Sequence, residues 1–398
     1  MSRDSKRDMK DWNKSPYITH CDNINFSCEL DYRSCSNAEI LKALFDQGLV
    51  NAVKWKDLYL RPEPKKVESE KVIYMLLGVA VGDSLGYPFE RFTPDERLKK
   101  YGLITSYSYI NGRVPPSDDT QLTFDTVKVI LENGRVVPWE LARIFASHRI
   151  TGMGSTIKQF LKNFRERGLP WYEAGLSRPS NGALMRISPV VIPNLKANEN
   201  YLVDAVLATF ITHNEPLAIA SSVAFADLLW GIINGSEYIN ADKILDRFTL
   251  IISKLTGDKK YRTRREKAKV KYEGTASEFI RDQVYYALRK NLSVREFAKM
   301  VGSSGYLLET VPNILFIFIK YLNDPQSGII EAINFTKDND TIGSALGAAF
   351  GALHGKKSFR EDWVKLLPGN LLKHGRKGEV YRLLNCVNKF LSSRPITS

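Results

Sequence analysis

Two glycine ladders constrain this chain more than any other feature. Gly78, Gly82 and Gly86 recur at every fourth residue in one segment, and Gly343, Gly347, Gly351 and Gly355 do so in another. In a helix, residues spaced this way share one face. A mid-helix glycine is about 0.5–1 kcal/mol less favourable than alanine, so a repeated one needs a compensating contact. The ladders therefore predict central helices that approach each other backbone to backbone. Apolar residues at helical spacing recur over 72–82, 121–133, 138–148, 155–167, 201–211, 216–233, 241–253, 275–290, 294–300, 309–321, 326–334, 341–354 and 379–392. Strand-like alternation is scarce, and no buried β-run alternates with these helices, which argues against a doubly wound sheet. The expected fold class is all-α: a compact many-helix domain with a smaller N-terminal extension.

The boundary between the two is legible. The stretch "RPEPKKVESEK" (61–71) reads as a connector, leaving residues 1–69 as the extension and 70–398 as the main domain. The extension carries Trp12, Tyr17, Phe26, Tyr32, Leu41, Leu44, Phe45 and Trp55, too many apolar groups for a simple tail. Its helix-like stretch from Asn37 to Phe45 could present a sticky face to a partner. Cys21, Cys28, Cys35 and Cys386, without an apolar N-terminal leader pattern, point to a reducing compartment, the cytoplasm. The gaps between Cys21, Cys28 and Cys35 miss the short spacing of a zinc knuckle, so no zinc site is expected beside His20. No run of about 18 uncharged apolar residues occurs, so no membrane span is expected.

The net charge of +13 is uneven, with nine Lys or Arg between Lys254 and Lys271 against Asp258 and Glu266. Such a cluster can attract nucleic acid, but no recognisable reading module accompanies it. A mobile solvated loop is the preferred reading, and nucleic acid is not an expected partner.

Acids gather at the mouths of helices in three separate stretches: Asp83 and Glu90 in "GVAVGDSLGYPFE", Asp118 and Asp119 in "PSDDTQLT", and Asp338, Asp340 and Thr341 in "TKDNDTIGSALG". N-capping explains one acid per helix but not two. If the pair at 118–119 faces the set at 338–341, four carboxylates share a small volume and repel unless protonated or bridged by cations. Magnesium or manganese suits carboxylate and hydroxyl oxygen.

With the motifs "GMGST" (152–156), "SNGALMRISPV" (180–190), "THNEP" (212–216), "GYLLETVPNILFIF" (305–318) and "DNDTIGSALGAAFGALHG" (338–355) following in order, the chain resembles the ADP-ribosylglycohydrolase family over roughly residues 70–370. The resemblance implies an all-helical hydrolase that holds two Mg2+ or Mn2+ ions and removes ADP-ribose from a modified protein side chain. It implies Ser117, Asp118, Asp119, Asp338, Asp340 and Thr341 as metal ligands, with Ser117 where the family often has threonine. Glu90 matches a mobile glutamate at the scissile end; with Asp119 it is a catalytic candidate. Gly152, Gly154, Ser155, Asn181, Gly182, Ala183 and His213 are implied substrate-binding residues, with Asp83 counted beside them, although His213 on its own reads as a hydrogen-bonded structural histidine; Gly305 and Tyr306 could border the adenine, where Tyr306 could stack on the ring or equally belong to the core. Arg186 reads as an anchor for a core carboxylate. Thr336 and Lys337 stand where the family usually has glycines, so Lys337 could reshape the loop or bring a cation near the substrate phosphates.

N-linked arginine is the first expectation for the bond cleaved. O-linked serine or polymeric ADP-ribose, an inactive ADP-ribose binder, and an immunity protein whose extension also blocks an ADP-ribosyltransferase toxin are the alternatives.

Overall fold

The glycine seam exists as a contact between two helices, α2 and α14. In a computed structural model that describes residues 35–52, 67–108, 116–195, 200–235, 240–264, 268–367 and 378–393, the chain runs through α1 (Asn37–Asp46), α2 (Ser69–Gly86), α3 (Pro94–Tyr101), α4 (Asp118–Asn133), α5 (Pro138–Ser147), α6 (Ser155–Leu161), α7 (Tyr201–Phe210), α8 (Pro216–Ile233) and α9 (Ala241–Thr256). A short hairpin of β1 (Lys260–Arg262) and β2 (Glu273–Thr275) follows, then α10 (Ala276–Arg289), α11 (Val294–Val301), α12 (Leu307–Lys320), α13 (Pro325–Phe335), α14 (Asn339–His354), α15 (Glu361–Leu366) and α16 (Glu379–Ser393). The expected all-α class holds.

A methyl group on Gly78 or Gly82 would land on the carbonyl oxygen of Gly347 or Gly343, and one on Gly351 would land on that of Tyr74. Only glycine permits this approach. At the site end of the seam, a Cβ on Gly86 would lie 2.5 Å from Asp340 Cα, so the end of α2 is pressed against the start of α14. Gly355 is different: it caps α14 at φ 58, and a Cβ there would meet nothing closer than 3.7 Å. The fourth rung of that ladder is a helix stop.

The most apolar helix is α8, buried along its whole length, and it shares the core with α7 and α9. Among the described residues, Ser69–Phe89 and Pro216–Ile233 are long and apolar enough to cross a membrane by length and composition, although neither is an uncharged run, the first holding Asp83 and the second Asp227. Their windows are 78% and 100% buried inside the protein, the surroundings of core helices.

α1, within the stretch expected as an extension, packs on the rest of the described chain. Ile40, Leu41 and Leu44 of α1 are buried, and Asn37 Nδ2 donates to Val136 O at 2.8 Å and to Asp204 Oδ1 at 2.6 Å. The expected sticky face of Asn37–Phe45 is thus turned inward. Trp12, Tyr17, His20, Cys21, Phe26, Cys28, Tyr32 and Trp55 lie outside the described residues.

Candidate functional site

The site begins where α4 begins. Ser117 is its N-cap, accepting the Asp119 N–H at 3.2 Å. A second cap comes from another helix: Asp83, in the last turn of α2, accepts the N–H groups of Ser117 at 2.9 Å and Thr120 at 3.1 Å and the Thr120 hydroxyl, all through Oδ2. Asp83 is therefore not at a helix mouth of its own; it satisfies orphan amides of a neighbour.

The start of α14 completes an acidic floor. Asp338 occupies its N-cap position without capping through its side chain, and Asp340 and Thr341 lie in the first turn. Ligand-type oxygens of Asp83, Asp119 and Asp340 lie within 4.8 Å of one another, and so do those of Glu90, Asp338 and Asp340. Thr341 Oγ1 donates to Asp119 Oδ2 at 3.4 Å. The predicted meeting of the 118–119 pair with the 338–341 set occurs.

These carboxylates are strained electrostatically. Burial first, and neighbouring acids second, push Asp118 up to about 8. The same two causes hold Asp119 and Asp340 well above the usual carboxylate range. Glu90 rises to about 6, chiefly by burial, with Asp338 adding to the rise and Lys337 opposing it. Asp83 Oδ1, Asp119 Oδ1 and Asp340 Oδ1 are buried without a hydrogen-bond partner. Buried acceptor oxygens left unpaired are costly, and a divalent cation answers both the missing donors and the repulsion. The all-oxygen donor set fits magnesium or manganese. The two acid groups can each hold a divalent ion.

Above the floor is an open cavity of about 490 Å3. Glu90, Asp118, Asp119, Gly152, Gly154, Ser155, Asn181, Gly182, His213, Gly305, Tyr306, Asp338, Asp340 and Thr341 all line it. Gly152, at φ 86, lets its loop run against Asp118, where a Cβ would come within 3.1 Å of Asp118 Oδ1. The 178–182 strand-like segment is stitched across the cavity wall by Asn181 N–H to Gly305 O at 3.1 Å and Leu307 N–H to Pro179 O at 3.0 Å. Asn181 Nδ2 donates to Asp338 Oδ2 at 2.6 Å, joining wall to floor.

His213 is hydrogen-bonded at Nε2 to Ser180 Oγ (2.9 Å) and at Nδ1 to Thr212 Oγ1 (2.8 Å). Burial, with the Arg186 charge adding, lowers its pKa to about 3, so it is a neutral part of the wall.

Three sequence candidates lie behind the cavity lining. Asp83, Ser117 and Ala183 are fully buried: Asp83 caps α4, Ser117 Oγ also donates to Asp119 Oδ2 at 3.2 Å, and Ala183 packs in the core. Arg186 is also fully buried, but it anchors the Ala208 carbonyl (3.0 Å) and Thr212 hydroxyl (2.7 Å), not a carboxylate.

Sequence reasoning missed Arg178 and Arg264, both on the cavity wall. Arg264 belongs to the basic stretch expected as a solvated loop. It stays exposed but is fixed at the cavity wall just after β1, where Nε donates to Glu309 Oε1 at 2.8 Å and the guanidinium lies 4.9 Å from the Tyr306 ring centroid. One face of the ring expected to stack on adenine is thus covered by Arg264. Its only sequence signal was an arginine in a charge run. Arg97 was missed too: fully buried, it donates to the carbonyls of Ile333 (2.5 Å) and Thr336 (3.0 Å) and to that of Phe92 (3.2 Å).

A mostly helical domain with acids at two helix starts under one cavity defines a protein able to hold divalent ions beside a ligand. The chain belongs to the ADP-ribosylglycohydrolase family, whose model matches residues 64–391. It is 27% identical over 317 residues to YegU of Escherichia coli K12, covering 73% of this chain and 89% of the relative. It is 21% identical over 308 residues to an ADP-ribosyl-[dinitrogen reductase] glycohydrolase of Rhodospirillum rubrum (75% and 90% covered). It is 21% identical over 322 residues to an ADP-ribosylarginine hydrolase, Tri1, of Serratia proteamaculans strain 568 (76% and 77% covered). The fold matches a solved ADP-ribosylglycohydrolase-related protein complex with a TM-score of 0.59 at 20% identity, covering 81% of this chain and 98% of that one.

Proposed function

We propose that the protein is a divalent-metal-dependent hydrolase that releases ADP-ribose from a modified protein side chain, with N-linked arginine as the substrate linkage. The observation that carries this reading is the convergence of the Asp83, Asp119 and Asp340 carboxylates, each with one unpartnered buried oxygen, beneath a cavity bordered by Glu90. Family membership supplies ADP-ribose as the ligand, and the relative named an ADP-ribosylarginine hydrolase supports arginine.

Asp118, Asp119, Asp338, Asp340 and Thr341 would hold two Mg2+ or Mn2+ ions. Bound there, the ions supply Lewis-acid stabilisation of charge on the ribose hydroxyls and the incoming water. The protein's own groups do the rest. Amides and hydroxyls of 152–156 and 180–182 orient the diphosphate and ribose, and Arg178 and Arg264 add positive charge on the wall. As the ribose C1″–N bond breaks, its electron pair leaves with the guanidinium, which departs as neutral guanidine. Glu90 takes a proton from the attacking water as the new C1″–O bond forms, and that proton restores the guanidinium charge.

The test is incubation with arginine-, serine- and polymer-linked ADP-ribose, with and without EDTA, for wild type and Glu90→Gln. Release from arginine alone, abolished by EDTA and reduced by about 100-fold or more in the variant, is expected. Release from serine or polymer instead would reject the linkage, and full release in EDTA after exhaustive dialysis would reject the metal.

A further inference from the structure

Lys337 directly precedes the acids Asp338 and Asp340 at the start of α14. Sequence reasoning allowed it to bring a cation near the substrate, yet it is absent from the cavity lining. Its side chain turns the other way. Nζ donates to the backbone carbonyl of Glu90 at 2.5 Å, and its own N–H donates to Ser303 Oγ at 2.9 Å.

The segment it grips has little structure of its own. Glu90 follows a single 3-10 turn, Tyr87–Phe89, and precedes the N-cap of α3 at Thr93. Its outward carbonyls are taken by two cations. Arg97 holds Phe92 O at 3.2 Å and, on its other side, Ile333 and Thr336 O. Lys337 holds Glu90 O. The turn is thus tied at separate points to the α13–α14 connection, which leads directly into Asp338 and Asp340. Arg97 is fully buried and braces the fold, whereas Lys337 is only partly buried. Its contact fixes the peptide of Glu90, whose side chain borders the acid floor.

We infer that Lys337 is a positioning residue that latches the Glu90 turn to the start of α14, holding the Glu90 carboxylate over the acid floor. The inference rests on the catalytic reading of Glu90 given above. A misplacement of about 1 Å at a reacting group can lower a rate by about 100-fold, so a lost latch acts on turnover before it acts on binding.

The test compares full-length wild type, Lys337→Met, Lys337→Arg and Lys337→Gln in Mg2+ with ADP-ribosylarginine as substrate, alongside hydrogen–deuterium exchange of residues 87–93. The expected result for Lys337→Met is a kcat lower by about tenfold or more with KM within about twofold, and faster exchange in 87–93. Lys337→Arg, which keeps a donor of similar reach, should regain most of kcat. Lys337→Gln replaces Met if Met does not fold, and should behave as Met does. A kcat within about twofold of wild type, or slower turnover without faster exchange in 87–93, overturns the latch. If Glu90→Gln loses activity while Lys337→Met does not, only the latch fails. If wild type hydrolyses no ADP-ribose substrate, the functional reading fails, and exchange alone then decides: faster in the Met variant sustains the latch, unchanged exchange removes it.

Discussion

Asp83 of α2 accepts the backbone N–H of Ser117 at 2.9 Å, so a carboxylate in the last turn of one helix caps the first turn of another. Its second oxygen is unpartnered, and the carboxylate comes within 4.8 Å of those of Asp119 and Asp340. One side chain thereby sets where α4 starts and contributes charge to the acid floor. Asp83→Asn retains an acceptor oxygen for the cap, whereas Asp83→Ala does not. The alanine variant should lose about 1–2 kcal/mol in urea unfolding and the asparagine variant clearly less, while both bind Mn2+ more weakly by calorimetry.

The proposed cation binding has a stability signature. Because the folded acids gather what the unfolded chain separates, Mg2+ or Mn2+ at about 100 times its Kd should stabilise the protein by about 2.7 kcal/mol. Thermal unfolding should show a rise in Tm on adding metal and its reversal by EDTA. Asp340→Asn should abolish most of that rise.

Arg264 predicts a binding effect. It lies on the cavity wall over Tyr306 and is held by Glu309. Arg264→Ala should weaken ADP-ribose binding by about tenfold, the scale of a lost charge-assisted contact of about 1.4 kcal/mol. Calorimetric titration with free ADP-ribose measures it, and unchanged affinity would confine Arg264 to supporting Tyr306.

A pH effect should appear away from the cavity. His148 Nε2 lies 2.6 Å from Asp125 Oδ2 on α4. Burial is the largest influence and works against the charged ring, but the Asp125 hydrogen bond and charge, with the Arg149 carbonyl, outweigh it and leave the pKa raised. A raised folded pKa contributes stability that is fully present below the unfolded value near 6.5 and is lost as pH rises through the folded value. The Tm difference between wild type and His148→Gln should therefore be largest near pH 5.5 and shrink toward pH 8.5. A difference growing with pH would contradict the charged pair.

The extension separates into two tests. Leu41 is fully buried against the main domain, so Leu41→Ala should cost about 2–4 kcal/mol. Deleting residues 1–52 should lower Tm for the same reason. Deleting residues 1–34 alone leaves α1 in place, so any loss of binding to an ADP-ribosyltransferase with hydrolysis intact would be a partner effect. Unchanged affinity by calorimetry would reject the blocking role for that stretch.

Much of this molecule was determined by its sequence because its signals are local and periodic. Helical spacing located α2, α4 through α14 and α16, and the repeated glycines announced the α2–α14 contact, since no other residue survives a carbonyl at that distance. The motifs marked the acids and most of the cavity lining. Other features depend on residues distant in the chain, and only the tertiary structure decided them. Arg97 is an ordinary charged residue of a short helix until its partners 236 to 239 positions away are brought beside it. Arg264 joins the cavity wall because Glu309 and the Tyr306 ring, more than 40 positions away, are brought beside it. Asp83 passes for a helix-mouth acid until α4 is docked on it, and Lys337 for a cation near the cavity until the Glu90 turn folds against it. Periodicity records which face of an element is apolar; it holds no record of which distant backbone group a buried charge will satisfy.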